Sequence, residues 1–255
     1  MKIIGVIPAR MAASRFPGKP LFKILGMPMV EHVYRRAAMY PKWTHLCLAT
    51  CDKEIEAVGL EKGWSTIMTS DKHTRALDRV AEAASKCGET LAADDVVICV
   101  QGDEPMLQPD MMDAVMKPLF DDPKVQGTVL AMEITDDGIF RNPDTVKIVH
   151  DMAGDVTYTS RCPVPFTKQG LPKHFTARRI YGIFAFRWHF LQKFTSMPMS
   201  PLELAESCDS NRIFDNGFRQ RVAPYPARPS FSVDSPDDIG QVERHMQQDP
   251  LWGKY

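Results

Sequence analysis

The sequence predicts an α/β fold built on a mostly parallel sheet, and three observations carry that reading. Over the first two-thirds, short β-like runs alternate with stretches of helical periodicity, the order that parallel strands and crossover helices produce. The length of 255 residues is enough for one large α/β domain with a sizeable core. No repeat, linker or low-complexity stretch breaks the chain, so a single domain spanning 1–255, with an inserted β element, is expected.

In chain order, strands are expected at 3–7, 45–49, 65–68 and 96–100, with helices at 29–39, 53–62, 75–86 and 110–119. Within the first helix Val30, Val33, Tyr34 and Ala37 recur at helical spacing and give one buried stripe. Asp52 and Asp110 are candidate N-caps. After about residue 120 the character changes. Strands are expected at 127–132, 145–150 and 155–160, then a loop rich in Pro, Lys and Arg at 162–178, then a strong strand at 180–186. Helical patterns return at 188–194 and 201–214, a strand follows near 219–223, and a helix at 236–246 starts behind an Asp-Ser-Pro signal. Three parts result: a nucleotide-binding part at about 1–120, a part for acceptor binding and dimerisation at about 121–225, and a closing loop and helix at 226–255.

A formal net charge of −1 gives no broad basic field and argues against a nucleic-acid partner. An anionic ligand must be held by a few local cations and backbone N–H groups. The N-terminal MKIIGVIP is too short an apolar run for a secretory signal, and no stretch of about 18 apolar residues predicts a membrane span. Six scattered cysteines without a C-x-x-C pair read as reduced thiols in a cytoplasmic protein.

Three segments carry chemistry. Residues 7–21, IPARMAASRFPGKPL, leave the first strand as a loop of small residues with Arg10, Arg15 and Lys19. Ligands of an open parallel sheet sit beyond the carboxyl ends of its strands. Small residues there let the backbone approach a polyphosphate, and the cations supply charge-assisted hydrogen bonds. It is not a Walker A loop, because no G-x-x-x-x-G-K-[ST] is present. The second segment, Val100-Gln101-Gly102-Asp103-Glu104-Pro105, ends an apolar strand. An Asp at such a tip can hold Mg²⁺, which takes oxygen ligands and shares them with phosphates. A turn capping the next helix is the alternative, but that helix has its own candidate cap in Asp110. The third, Ser232-Val233-Asp234-Ser235-Pro236, offers Asp234 as a helix cap, a metal ligand, or both. The seven histidines form no triad; His32 falls in a helical stripe and His73 has no assigned role.

Together these segments resemble the CMP-Kdo synthetase family, the 3-deoxy-manno-octulosonate (Kdo) cytidylyltransferases. The family pattern PAR-x-x-[SA]-[ST]-R-[LF]-PGKPL is almost complete in residues 8–21. The likeness continues through Gly26, Pro28-Met29-Val30, His32-Val33, residues 100–105, Asn142-Pro143-Asp144-Thr145-Val146-Lys147, residues 200–203 and residues 233–238. It implies a Rossmann-like nucleotide-diphospho-sugar transferase fold, a homodimer, and a reaction that moves CMP from CTP onto an acidic sugar with release of pyrophosphate. By that resemblance Asp103 and Asp234 hold Mg²⁺, and Arg10 and Lys19 act with them in catalysis. Pro8, Ala9, Arg10, Ser14, Arg15, Lys19, Asp78, Arg79 and Gln101 contact the nucleotide. Arg15, Gln101, Arg161, Tyr181, Glu206 and Arg212 face the acceptor.

Three stretches depart from the pattern. The family's S-G-T-[DE]-R reads Arg75-Ala76-Leu77-Asp78-Arg79 here, and H-[LI]-G-[IL]-Y reads Ile180-Tyr181-Gly182-Ile183-Phe184. The helix motif E-x-L-E-Q-L-R reads Glu206-Ser207-Cys208-Asp209-Ser210-Asn211-Arg212. A rewritten acceptor pocket follows as an expectation, with Kdo used poorly and an amino-Kdo, another 2-keto-3-deoxy acid or a phosphonate preferred. Two further readings share the architecture: a glycosyltransferase, although Asp103-Glu104-Pro105 is not its Asp-x-Asp motif, and a non-catalytic nucleotide-binding module, although Lys19 and both carboxylates are kept.

Overall fold

The run IIGVIP, Ile3–Pro8, forms strand β1, every residue of it buried. After it come the hairpin strands β2 (Lys23–Ile24) and β3 (Met27–Pro28), then α1 (Met29–Ala38), β4 (His45–Thr50) and α2 (Lys53–Glu61). Next are β5 (Thr66–Met68), α3 (Ala76–Lys86), β6 (Val96–Val100) and α4 (Asp110–Asp121). These are the coordinates of a computed structural model, which describes residues 1–12, 15–168, 170–171 and 174–255. By contacts the chain divides into two units, Met1–Met112 with Pro229–Tyr255, and Asp113–Arg228. The sequence predicts one domain over 1–255, with parts meeting at about 120 and 225.

In the first unit the strand order is β6-β1-β4-β5, all parallel. Parallel strands end on a common edge, so the chain leaves Pro8, Thr50, Met68 and Val100 on one side, and the loops that follow share it. α1 buries Val30, Val33, Tyr34 and Ala37, the stripe expected from their spacing. Asp52 occupies the N-cap position of α2 but makes no capping bond; its carboxylate accepts the Met11 amide at 2.7 Å, across 41 residues. Asp110 is the first residue of α4 and lies in its first turn, where its charge meets the positive end of the helix dipole.

The second unit comprises β7 (Gly127–Glu133), α5 (Asp137–Arg141), β8 (Lys147–His150), β9 (Val156–Ser160) and β10 (Arg178–Arg187). α6 (Trp188–Ser196), α7 (Pro201–Glu206), α8 (Ser210–Asp215) and β11 (Arg221–Tyr225) complete it. Here β7 pairs antiparallel with β10 and parallel with β11, and β8 runs antiparallel to both β9 and β10. The helix expected over 201–214 is two. Ser207 at φ 51° caps α7 in the left-handed region and turns the chain before α8 begins. The short α5, capped by Asp136 accepting the Ile139 amide at 2.9 Å, was not legible from periodicity.

The chain then returns to the first unit with α9 (Ile239–Met246), whose Ile239, Val242 and Met246 join Phe16, Ile24, Met29, Met106 and Val233 in one buried cluster. No helix among the described residues is long and apolar enough to cross a membrane.

Candidate active site

The loop after β1 is shaped by two glycine-dependent features. Gly18, at φ 75°, opens the 3₁₀ turn Lys19–Leu21 that carries Lys19. At the end of β6, a Cβ on Gly102 would stand 2.8 Å from the Pro8 carbonyl oxygen, so only glycine lets the two strand ends come this close. A cavity of about 270 Å³ opens over this edge.

Lys19, Asp103 and Asp234 meet there from three separate parts of the chain. Lys19 Nζ donates to Asp103 Oδ2 at 2.8 Å and to the Val233 carbonyl at 2.7 Å. Arg15 Nη2 donates to Asp234 Oδ1 at 2.7 Å. The Val233 amide donates to the Asp103 carbonyl at 3.0 Å, and Ser232 Oγ to Glu104 Oε1 at 2.7 Å, which ties the two acidic loops together. Ser235 is the residue at the helix N-cap: the Asp238 carboxylate accepts the Asp234 and Ser235 amides at 2.8 and 2.7 Å. The capping alternative for Asp234 is thereby displaced, and its carboxylate lines the cavity instead.

The lining holds five cationic side chains, Arg10, Arg15, Lys19, Arg75 and Arg79, against the two carboxylates. In a chain of net charge −1 that local surplus fits a polyanion. Arg10 is exposed, and its side chain makes no hydrogen bond among the described residues. Arg79 is buried; it donates to Thr69 Oγ1 and lies 3.4 Å from Cys51 Sγ. Pro8, Ala9 and Gln101 also line the cavity, whereas Asp78, in the first turn of α3, does not. Ser14 lies outside the described residues. Phe16, Pro20, His73 and Thr74 belong to the lining as well, and sequence reading assigned none of them to the nucleotide.

Residues 4–222 match the cytidylyltransferase family. A 3-deoxy-manno-octulosonate cytidylyltransferase of Nitratidesulfovibrio vulgaris (strain DP4) is 42% identical over 240 residues, 93% of each chain. One from Geobacter sulfurreducens is 38% identical, covering 95% of this chain and 98% of its own. The chain belongs to the 3-deoxy-manno-octulosonate cytidylyltransferase family. A solved CMP:2-keto-3-deoxy-manno-octonic acid synthetase in complex with CTP superposes with a TM-score of 0.86 at 33% identity, over 97% of this chain and 99% of the other. A 4-diphosphocytidyl-2C-methyl-D-erythritol synthase, 15% identical with a TM-score of 0.63, shares the fold alone.

In this family member the remaining residues expected at the acceptor all lie in the second unit. Arg161 donates through Nε to the Glu206 carbonyl at 3.0 Å and through Nη1 to the Pro143 carbonyl at 2.9 Å. Burial pushes the Glu206 carboxyl up, but bonds from the Arg161 amide, Ser160 and Tyr158 outweigh it and hold the group below the usual range. Tyr181 is fully buried, with the Arg179 guanidinium 5.4 Å from its ring centroid. Arg212 is buried and forked onto Glu203, at 2.8 Å from Nε and 2.6 Å from Nη2, over the Phe194 ring. Its guanidinium thus serves the interior of the unit, contrary to the acceptor-carboxylate role read from the motif. Asn211, one of the departures, is likewise internal: its Oδ1 accepts from Thr159 Oγ1 at 2.6 Å, and its Nδ2 donates to the Thr159 and Leu202 carbonyls. That substitution is answered inside the fold.

Proposed function

We propose that this chain transfers CMP from CTP to 3-deoxy-manno-octulosonate and releases pyrophosphate. The observation that carries the reading is the pair of cavity carboxylates, Asp103 and Asp234, each held by a cation of the loop after β1. The relatives named for Kdo favour it as acceptor over the amino-Kdo and phosphonate alternatives, and membership of the family disfavours both the glycosyltransferase and the non-catalytic module.

An acceptor oxygen attacks the α-phosphorus in line with departing pyrophosphate, a reaction that depends on positioning and charge neutralisation. Arg10 and Lys19 neutralise charge on the triphosphate and on the leaving pyrophosphate. Arg15 reaches the same phosphates or the acceptor carboxylate. Gly102 and the Pro8-Ala9 backbone give the nucleotide a close approach.

The donor set fits Mg²⁺: two carboxylates that bring only hard oxygen ligands, in an open cavity that leaves room for phosphate oxygens and water. Asp103 and Asp234 would hold the ion. When bound it supplies electrophilic charge at the α-phosphate and favours the ionised acceptor oxygen. Lys19 and Arg15 hold the two carboxylates in place, and both cations are at hand for phosphate oxygens.

Arg161 and Glu206 remain our proposed acceptor residues in the second unit. Six free cysteines, four of them buried, support a reducing cytoplasm. Exposed Met152, Phe166 and Phe175 in the second unit offer apolar surface for a homodimer to cover. The reading is tested by incubating the protein with CTP, Mg²⁺ and Kdo and following pyrophosphate. Release with Kdo supports it; release only with a different acid, or none with any, overturns the acceptor or the activity respectively.

A further inference from the structure

One wall of the cavity is left unused by this chemistry: the 69–75 loop and the first turns of α3. His73 lines the cavity. Its Nε2 is hydrogen-bonded to Oε2 of Glu82, one helical turn beyond the cavity-lining Arg79. The same carboxylate accepts the Ser70 amide at 3.0 Å and the Lys86 ammonium. Burial pushes the Glu82 carboxyl up, yet Lys86, the Ser70 amide and His73 outweigh it and hold it at about 2. An ionised carboxylate only accepts, so Nε2 carries the proton of this hydrogen bond. In the neutral ring the lone pair is then on Nδ1, which has no partner among the described residues and points away from Glu82.

Strand order says which part of a nucleotide this wall meets. Asp103 follows β6 at one end of the order β6-β1-β4-β5, and the 69–75 loop follows β5 at the other. Three strand spacings separate them, about 14 Å. A triphosphate with its α-phosphorus near Asp103 and Asp234 meets Arg10 and Lys19 on the loop after β1. Phosphates bound by that loop would leave the β5 side of the cavity, where His73 lies, to the nucleoside.

We propose that His73 reads the base, its Nδ1 accepting a hydrogen bond from the exocyclic amino group of cytosine, with Glu82 as the positioning residue that fixes ring and tautomer. Uracil presents a carbonyl oxygen in place of that amino group and would set lone pair against lone pair. The inference rests on the cytidylyltransferase reading of the cavity.

The test measures CTP and UTP affinity by titration calorimetry, alongside turnover with Kdo by pyrophosphate release. Wild type is expected to bind CTP more tightly than UTP. His73→Gln keeps a donor for Glu82, and with it the loop, but lacks the Nδ1 acceptor. It should lose about ten- to a hundred-fold in CTP affinity with UTP unchanged. His73→Asn puts an amide oxygen near the Nδ1 position and should restore part of the preference. Glu82→Gln should weaken it without abolishing binding. Equal binding of the two nucleotides by wild type overturns the inference, as does a parallel loss for both in His73→Gln, which marks a loop brace only. A wild type that prefers CTP yet turns over nothing with Kdo defeats the proposed function and leaves the base reading supported.

Discussion

Two sets of charged side chains, one in each unit, are built to opposite rules. Arg212 and Glu203 are buried side chains, joined by two hydrogen bonds at 2.8 and 2.6 Å and covered by the Phe194 ring. Lys147, also buried, spends its ammonium on the carbonyls of Asn142, Thr145 and Arg161. The Lys19–Asp103 and Arg15–Asp234 pairs instead keep water contact, with side-chain exposures of 14% and 25%, and 48% and 24%. A buried charge is costly unless protein atoms satisfy it completely, and once satisfied it is closed to a ligand. A half-solvated pair contributes about 0–1 kcal/mol and can exchange its partner for a phosphate or a metal ion at little cost. Charges that hold the fold are sealed; the charges that line the cavity stay exchangeable.

That contrast can be broken in four places. Glu203→Ala removes the carboxylate onto which the buried Arg212 is forked and should cost about 3–5 kcal/mol of unfolding free energy by urea titration. Replacing both partners by Met should recover most of the loss; no loss in the single variant would mean the pair is not sealed.

Asp103→Asn or Asp234→Asn should leave the melting temperature within a few degrees and cut kcat by about 10²- to 10³-fold. Wild-type turnover in either variant would remove that carboxylate from the reaction.

Gly102→Ala forces a methyl group against the Pro8 carbonyl, 2.8 Å away. A strain of about 1–3 kcal/mol is expected, read as a raised KM for CTP with a folded circular-dichroism spectrum.

The smallest effect is a slope. Burial, the dominant cause, lowers the Lys147 pKa from 10.5 to about 8. Between pH 8 and 10.5 the unfolded chain therefore binds the extra proton, and stability contributed by this group rises with pH across that window. Lys147→Met should flatten that part of the unfolding profile, whereas an unchanged slope would show that the ammonium is not buried in solution.

Much of this was legible from the residues because the signals were local. Residues 3–7, 45–49 and 96–100 read as strands and are strands, and the three chemical segments converge on one cavity. What failed depended on distant partners. Asp52 looks like a helix cap until Met11, 41 residues away, claims its carboxylate. Arg212 looks like an acceptor fork because nothing in its motif announces that Glu203 is spent on it. The break between α7 and α8 rests on a left-handed Ser207, a conformation that serine does not advertise as glycine does. His73 could be noticed but not interpreted, since its meaning lies in Glu82, one helix further on.

The first unit is discontinuous, and this has a consequence for its birth. Val233, Ile239, Val242 and Met246 complete the apolar cluster around Phe16 and Ile24, and the Val233 carbonyl is a partner of Lys19. On a ribosome the loop after β1 is made first, while its missing half waits for the whole of Asp113–Arg228 to be translated. At about 5–20 residues per second that interval is on the order of ten seconds. Throughout it Phe16, Ile24 and Met29 lack the apolar cover that Val233 and α9 supply, so the nascent chain presents a sticky half-core that a cotranslational chaperone is suited to shield.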